Sequence, residues 1–287
     1  QRGVSPHFIP KMIPNIAGGQ IAIKHGFHGP NFSLSSACSS ASDAIGMAYR
    51  LIQSNQIHAM VCGGAEGGIT PLTLSGFSNM KALSKNNENP QNACKPFDKN
   101  RDGFIMSEGS AMLILESLDS AQKRGANILA EIIGYGITND AYHITQPHNE
   151  GVGATSAINL ALKDGGINKD EVSYINAHGT STYYNDMIET KAIKQVFGGD
   201  IAKNLLVSST KSMTGHMLGA TGAIEAITCI YAMNNGIIPP TINYETPDPE
   251  CDLNYVPNKS IESDLNITIS NSFGFGGHNS VLALKKF

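Results

Sequence analysis

Apolar positions along the chain fall into runs of two periods, and the two kinds alternate. At 39–52, Ile45, Ala48 and Ile52 recur at helical spacing, which predicts a helix opening just after Cys38. Residues 57–62 form a short apolar run stopped by Gly63 and Gly64, and read as a buried strand. Residues 110–118 alternate and predict another strand, followed by a helix opening at 120–125 and a strand at 128–135. Between them, 81–101 is polar and Asn-rich with Pro90 and Pro96, and predicts a long surface loop.

A second half follows. The pattern predicts helices at 153–165, 186–196 and 219–233, and strands at 172–177 and 205–209. Two further strands, 267–271 and 281–284, flank a glycine turn at Gly274. Each half runs through a Ser-rich turn, then Cys38 or His216, then a small-residue helix, a strand and a Gly-rich hairpin. This is a pseudo-repeat without sequence identity, and alternating strands and helices imply a layered α/β fold.

The chain has 287 residues, enough for a large core in one or two domains. At 41% hydrophobic it is not a disordered chain. Twenty Lys plus Arg against 24 Asp plus Glu argue against a nucleic-acid binder, while leaving room for a local basic patch facing an acidic partner. The five cysteines are odd in number and lack CxxC spacing, so reduced thiols are expected rather than disulfides or zinc. No apolar run approaches membrane-spanning length and no signal peptide is visible. Gln1 is not an initiator and residues 1–30 give no clear first strand, so the chain is expected to be a fragment of a longer protein.

Three turns carry the candidate chemistry. Cys38 lies among Ser and Ala at a predicted helix start, where unpaired N–H groups favour a thiolate and can hold an oxyanion. His178 and His216 each follow the C-terminal end of a predicted strand, the edge where open α/β sheets collect their sites. Lys211, five residues before His216, is placed to keep that histidine neutral or to orient it. Glu225 sits in an apolar helix and needs a partner, so it is expected to brace the cluster. The run from Ser272 to His278 lacks both GxGxxG spacing and a phosphate-binding lysine, which excludes a nucleotide loop. Its glycines allow close approach, offering the Phe275 N–H to an oxyanion while the ring gates a tunnel.

SSACSSA at 35–41, NAHGTSTYYND at 176–186, KSMTGHMLGATGAIE at 211–225 and NSFGFGGHN at 271–279 occur in this order. Together they resemble the β-ketoacyl-acyl-carrier-protein synthases of the thiolase superfamily, with the greatest likeness to the elongating synthase II branch. The likeness covers essentially the whole chain. It implies an α-β-α-β-α layered sandwich of two pseudo-repeated halves, with the first half incomplete: 1–126 carrying the nucleophile and 127–287 carrying both histidines. It also implies a homodimer without metal or cofactor, whose substrates carry phosphopantetheine on acyl carrier protein. Cytoplasm is the implied compartment, or an organelle stroma in a eukaryote.

By position, the resemblance makes Cys38 the acylated nucleophile and His178 and His216 the pair serving decarboxylation and condensation. Lys211 becomes their associated lysine and Glu225 the supporting glutamate. Thr180 and Thr182 would contact the phosphopantetheine arm, and Phe275 would be the gate, its N–H completing the oxyanion hole with that of Cys38. Arg2 and Lys81 match places where relatives present basic residues to the acidic carrier protein. The chain departs from the pattern at Tyr183, where relatives usually have proline, at Ser107 and Ser110 in glycine-type positions, and at His278 for a frequent threonine.

The implied reaction is a decarboxylating condensation of malonyl carrier with an acyl group on Cys38. A polyketide ketosynthase and an inactive fragment of the synthase remain as alternatives. A thiolase would complete its site with a second cysteine near the C-terminal glycine turn, which here has Phe273 and Phe275. A chain-length factor would lack Cys38, and a cysteine hydrolase gives no reason for a second histidine.

Overall fold

The computed structural model describes residues 3–287. The chain forms two compact units, Gln1–Ser35 and Ser36–Phe287. The first contains helices α1 (Phe8–Met12) and α2 (Ile16–His25). The division expected at 126/127 falls inside the second unit.

Among the described residues the strands of the second unit make three sheets. A two-stranded antiparallel sheet pairs β1 (Ala59–Glu66) with β2 (Gly109–Glu116). A five-stranded sheet has the order β3-β9-β8-β4-β5, from β3 (Glu131–Asn139), β4 (Val172–Asn176), β5 (Leu206–Ser208), β8 (Ile267–Gly274) and β9 (His278–Lys285). Strands β8, β4 and β5 are mutually parallel, while β9 is antiparallel to both β3 and β8. The third sheet is the short pair β6 (Ile237–Ile238) and β7 (Ile261–Glu262).

Helices α3 (Ser40–Gln53) and α10 (Thr221–Asn235) lie between the first two sheets. Their small and apolar faces, Ala41, Ile45 and Ala48 on one and Ala223, Ala226, Cys229 and Met233 on the other, pack with Cys62, Ala111, Tyr174 and Leu282. On the far face of the large sheet, α6 (Val152–Gly165) and α7 (Tyr183–Phe197) bury Ala157, Ile158, Ala161, Ile193 and Val196 against Ile175, Ile269 and Val281. Ile45 and Ile158 are fully buried, each contributing roughly 1.5–3 kcal/mol by the area it removes from water. The stack of sheet, helix pair, sheet, helix pair matches four successive layers of the α-β-α-β-α thiolase-like order. The first sheet has two strands where the second has five.

The predicted elements are present with shifted ends. The strand expected at 57–62 runs on through both glycines to Glu66, because β2 continues to pair with it at Gly63↔Met112 and Gly64↔Ala111. Cross-strand pairing overrides the local stop signal. The expected surface loop at 81–101 is only partly one: Ala93, Cys94, Phe97, Asp98 and Arg101 are buried. Helix α4 (Pro71–Asn79) was not apparent from periodicity, since it has no buried residue and so no apolar stripe.

Candidate active site

The parallel β4, β5 and β8 end on one edge of the sheet, and that edge gathers the chemistry. The chain leaves β4 through Ala177 into His178, and leaves β5 into α9 (Lys211–Thr214), Gly215 and His216. The β8–β9 turn holds Phe275. Cys38 lies two residues before α3, after Ala37 in the left-handed region at φ 52°. One ligand-type atom from each of Cys38, His178 and His216 lies within 4.8 Å of the others.

Both imidazoles are buried, and their rings meet edge to face with centroids 5.4 Å apart. Burial holds both well below the ordinary histidine range; the Lys211 charge pushes each further down, and His216 adds to the effect on His178. Lys211 Nζ lies 3.4 Å from His178 Nδ1 and 2.5 Å from Glu225 Oε1. An ammonium has only donors, so Nδ1 accepts and the proton of the neutral His178 ring sits on Nε2. His216 Nδ1 lies 3.0 Å from the Thr221 hydroxyl. Burial raises the Glu225 carboxyl to about 7, against the lowering pull of Lys211.

The thiol departs from expectation. Cys38 keeps part of its residue surface open, yet its sulfur is enclosed, and burial pushes the thiol up to about 11. Lys211 and the N–H groups of Phe275 and Cys38 itself pull the other way without overcoming it. Desolvation of a thiolate outweighs a helix start here. Both N–H groups face the sulfur, as an oxyanion pair would. Gly274 makes this possible: a Cβ there would fall 2.6 Å from the Ser36 carbonyl oxygen and 3.1 Å from the Cys38 nitrogen.

Thr180 and Thr182 follow His178 in the same loop, with their hydroxyls 2.8 Å apart. The buried Arg101 holds that loop from behind, donating to the carbonyls of Thr182 (3.3 Å) and Tyr183 (3.0 Å) and pairing with Asp248 at 2.5 Å. Lys81 is exposed just beyond α4. Its segment meets the site indirectly: Phe77 packs edge-on against Phe104, which packs edge-on against His216. Arg2 lies outside the described residues.

Glu189 was missed in the sequence. From α7 it accepts the backbone N–H groups of His178 and Gly179, each at 2.8 Å, and the Asn271 side-chain amide at 3.0 Å. The available signal was a carboxylate on the apolar face of a helix, the same signal that marked Glu225. Asn176 Oδ1, Glu225 Oε2 and Asn271 Oδ1 are buried without a donor, and bare oxygens of this type suit a hard cation. The Cys38–His178–His216 group also has the spacing of metal ligands, but the Lys211 ammonium beside His178 opposes a cation there.

Residues 1–121 match the N-terminal domain model of beta-ketoacyl synthase and 129–245 its C-terminal domain model. A 3-oxoacyl-[acyl-carrier-protein] synthase 2 of Synechocystis sp. is 56% identical over 99% of the chain and 68% of its own length. The protein of the same name from Staphylococcus aureus is 52% identical over the whole chain and 69% of its own length. Among solved structures, a beta-ketoacyl synthase from Burkholderia phymatum matches with TM-score 0.94 at 36% identity, covering 99% of this chain and 68% of that one. A type II PKS ketosynthase solved in complex with its acyl-carrier protein matches with TM-score 0.96 at 38% identity, covering 99% of this chain and 70% of that one. The chain belongs to the beta-ketoacyl synthase family.

Proposed function

We propose that this protein is the condensing enzyme of fatty acid elongation, a 3-oxoacyl-acyl-carrier-protein synthase acting as an acyltransferase. The observation that carries the reading is the meeting of one thiol, two neutral imidazoles and two backbone N–H groups on a single sheet edge. In the first stage the Cys38 sulfur attacks an acyl-carrier thioester. A new S–C bond forms, the N–H groups of Cys38 and Phe275 hold the oxyanion, and the carrier departs as a thiol with the proton that Cys38 gives up. A thiol pushed up to about 11 is mostly uncharged at rest, so forming its thiolate is part of the cost of the attack.

In the second stage a malonyl carrier loses CO2, and the electron pair of the broken C–C bond passes into a thioester enolate. Neutral imidazoles at His178 and His216 donate to its oxygen, and Lys211 and Glu225 set the proton position on His178. The enolate carbon attacks the acyl-Cys38 carbonyl, the S–C bond breaks, the expelled Cys38 thiolate takes up a proton from solvent, and a 3-oxoacyl carrier two carbons longer leaves. Thr180 and Thr182 hold the phosphopantetheine arm, and Phe275 gates the acyl tunnel. Lys81 and Arg2 meet the acidic carrier. Phosphopantetheine arrives on the substrates, and the steps above call on no further cofactor.

The halves 1–126 and 127–287 divide the work between nucleophile and histidines, and the protein acts as a cytoplasmic homodimer, or in an organelle stroma in a eukaryote. No helix among the described residues is long and apolar enough to cross a membrane. Identity to the synthase 2 relatives, at 56% and 52%, exceeds that to the polyketide ketosynthase at 38%, which favours fatty acid over polyketide chemistry. The test is incubation of the purified protein with labelled acyl carrier, then with malonyl carrier. Label on Cys38 followed by 3-oxoacyl carrier is expected. Absence of label on Cys38 overturns the reading, and leaves an inactive fragment in its place.

A further inference from the structure

Asp43 lies one turn into α3 as a buried carboxylate that the proposed reaction does not use. Its Oδ1 accepts from the Tyr135 hydroxyl at 2.7 Å. Its Oδ2 accepts from the Ser36 hydroxyl, and Ser39 Oγ lies 3.3 Å from the same oxygen. Ser36 and Ser39 bracket Cys38. Between them the chain is strained at Ala37, a residue with a β-carbon held at φ 52°. The carboxylate therefore holds the Ser36 end of the nucleophile turn directly, and the Ser39 hydroxyl, donating to the Ser36 carbonyl at 2.8 Å, ties the other end to it.

Tyr135 belongs to β3, on the opposite side of α3 from β1, and it is fixed at every polar atom. Its N–H donates to Asp164 at 3.0 Å, its carbonyl accepts from Arg50 at 3.2 Å, and Arg50 pairs with Asp164 at 2.7 Å. The ring crosses α3 at Gly46, where a Cβ would lie 2.4 Å from it. Burial, and then the Asp43 charge, raise the hydroxyl, so it remains a donor at any working pH.

We infer that the Asp43 carboxylate and the Tyr135 hydroxyl are a positioning pair that keeps the Ser36–Ser39 turn in register, so that the Cys38 sulfur and N–H stay aimed at the acyl carbonyl. The inference rests on the reading of Cys38 as the acylated nucleophile. Neither residue touches the reacting atoms. Without the hydroxyl, Asp43 Oδ1 is a buried acceptor lacking its donor, the carboxylate turns to recover one, and the serine clamps turn with it. A displacement of about an ångström costs on the order of a hundredfold in an attack geometry.

The test compares Tyr135→Phe, Asp43→Asn and the double variant, all close to isosteric. Acyl loading of Cys38 is expected to fall about tenfold to hundredfold in each single variant. Apparent KM for the acyl donor and the rate of malonyl decarboxylation should stay within about threefold of wild type, because the histidines are not moved. The double variant should load no more slowly than the slower single one, since both act through one contact. Amide exchange at Ser39 and Ser40, whose N–H groups donate to Ser36 and Ala37, should speed up while the C-terminal half of α3 stays protected. Multiplicative losses in the double variant, unchanged loading, or equal loss of loading and decarboxylation overturn the inference. Should wild type fail to load at all, the functional reading falls instead. Amide exchange then decides the positioning role alone: faster at Ser39 and Ser40 in Tyr135→Phe supports it, and unchanged exchange ends it.

Discussion

Lys211 Nζ lies 3.4 Å from His178 Nδ1, inside the protein and with Glu225 on its other side. The cation thus does two things to the ring: it fixes where the imidazole proton sits, and it resists a second one. Lys211→Met removes both. Burial still lowers His178, but the ring moves up toward its ordinary range. The acid limb of malonyl decarboxylation should shift to higher pH, because the ring now protonates sooner. Decarboxylation at neutral pH should fall about tenfold to hundredfold. A pH–rate profile of CO2 release checks this, and an unmoved acid limb would remove Lys211 from the role.

Thiol reactivity gives an independent reading of the pocket. A thiol pushed up to about 11 has a thiolate fraction that grows about tenfold per pH unit through neutral and mildly alkaline conditions. Alkylation of Cys38 by iodoacetamide should therefore climb steadily from pH 7 to about pH 10. Mass spectrometry of the Cys38 peptide measures it. A plateau below about pH 9 would mean a thiol far more acidic than its burial dictates.

The histidines should also tie stability to acid. Both are held below their unfolded range, so the unfolded chain binds protons near and below the ordinary histidine pKa of about 6.5 that the folded chain refuses. Stability is present above that pH and is lost as pH falls through it. Glu225, raised to about 7, opposes this by holding a proton in the folded state that the unfolded chain releases. His178→Asn should flatten the loss between pH 7 and 5 by up to about 1.4 kcal/mol per pH unit, the weight of one proton. Urea unfolding midpoints across that range measure the slope, and an identical slope in the variant contradicts it.

Gly274→Ala should separate the two turns that meet at the sulfur. The added methyl has the Ser36 carbonyl oxygen 2.6 Å away and no flexible neighbour to displace. We expect a stability cost of about 1–3 kcal/mol and loss of acyl loading beyond what that cost explains. Thermal unfolding alongside single-turnover loading separates the two effects. Wild-type loading would mean that the Phe275 N–H is not part of the oxyanion pair.

Much of the layered architecture was legible, because α3, α6, α7 and α10 carry small or apolar residues at helical spacing and β4, β8 and β9 are short buried runs. The convergence of Cys38, His178 and His216 was legible from their places after strands and at a helix start. Three things were not. The thiol's pKa depends on total enclosure, which no local pattern reports, and it reversed the expected direction. The 81–101 stretch is rich in polar residues and so reads as solvated, yet Arg101 is buried against Asp186 and Asp248 from distant elements, and the buried Asp98 carboxylate accepts the backbone N–H groups of Glu245 and Thr246. Asp43, Tyr135 and Glu189 carry no local sign of their roles, because a buried polar side chain shows its meaning only when its partner is known, and Asp43 and Tyr135 are 92 residues apart.

The bond from Tyr135 to Asp43, and the seat of Gly274 against Ser36, constrain how such proteins can be recombined. The sulfur is supplied by one stretch of chain, and the turn that carries it is contacted by another, at Asp43 and at Ser36. Recombination that swaps everything from β3 onward for a homologous sequence must import a matching phenol and a bare backbone at those two spots, or the chimera will fold around a misdirected thiol.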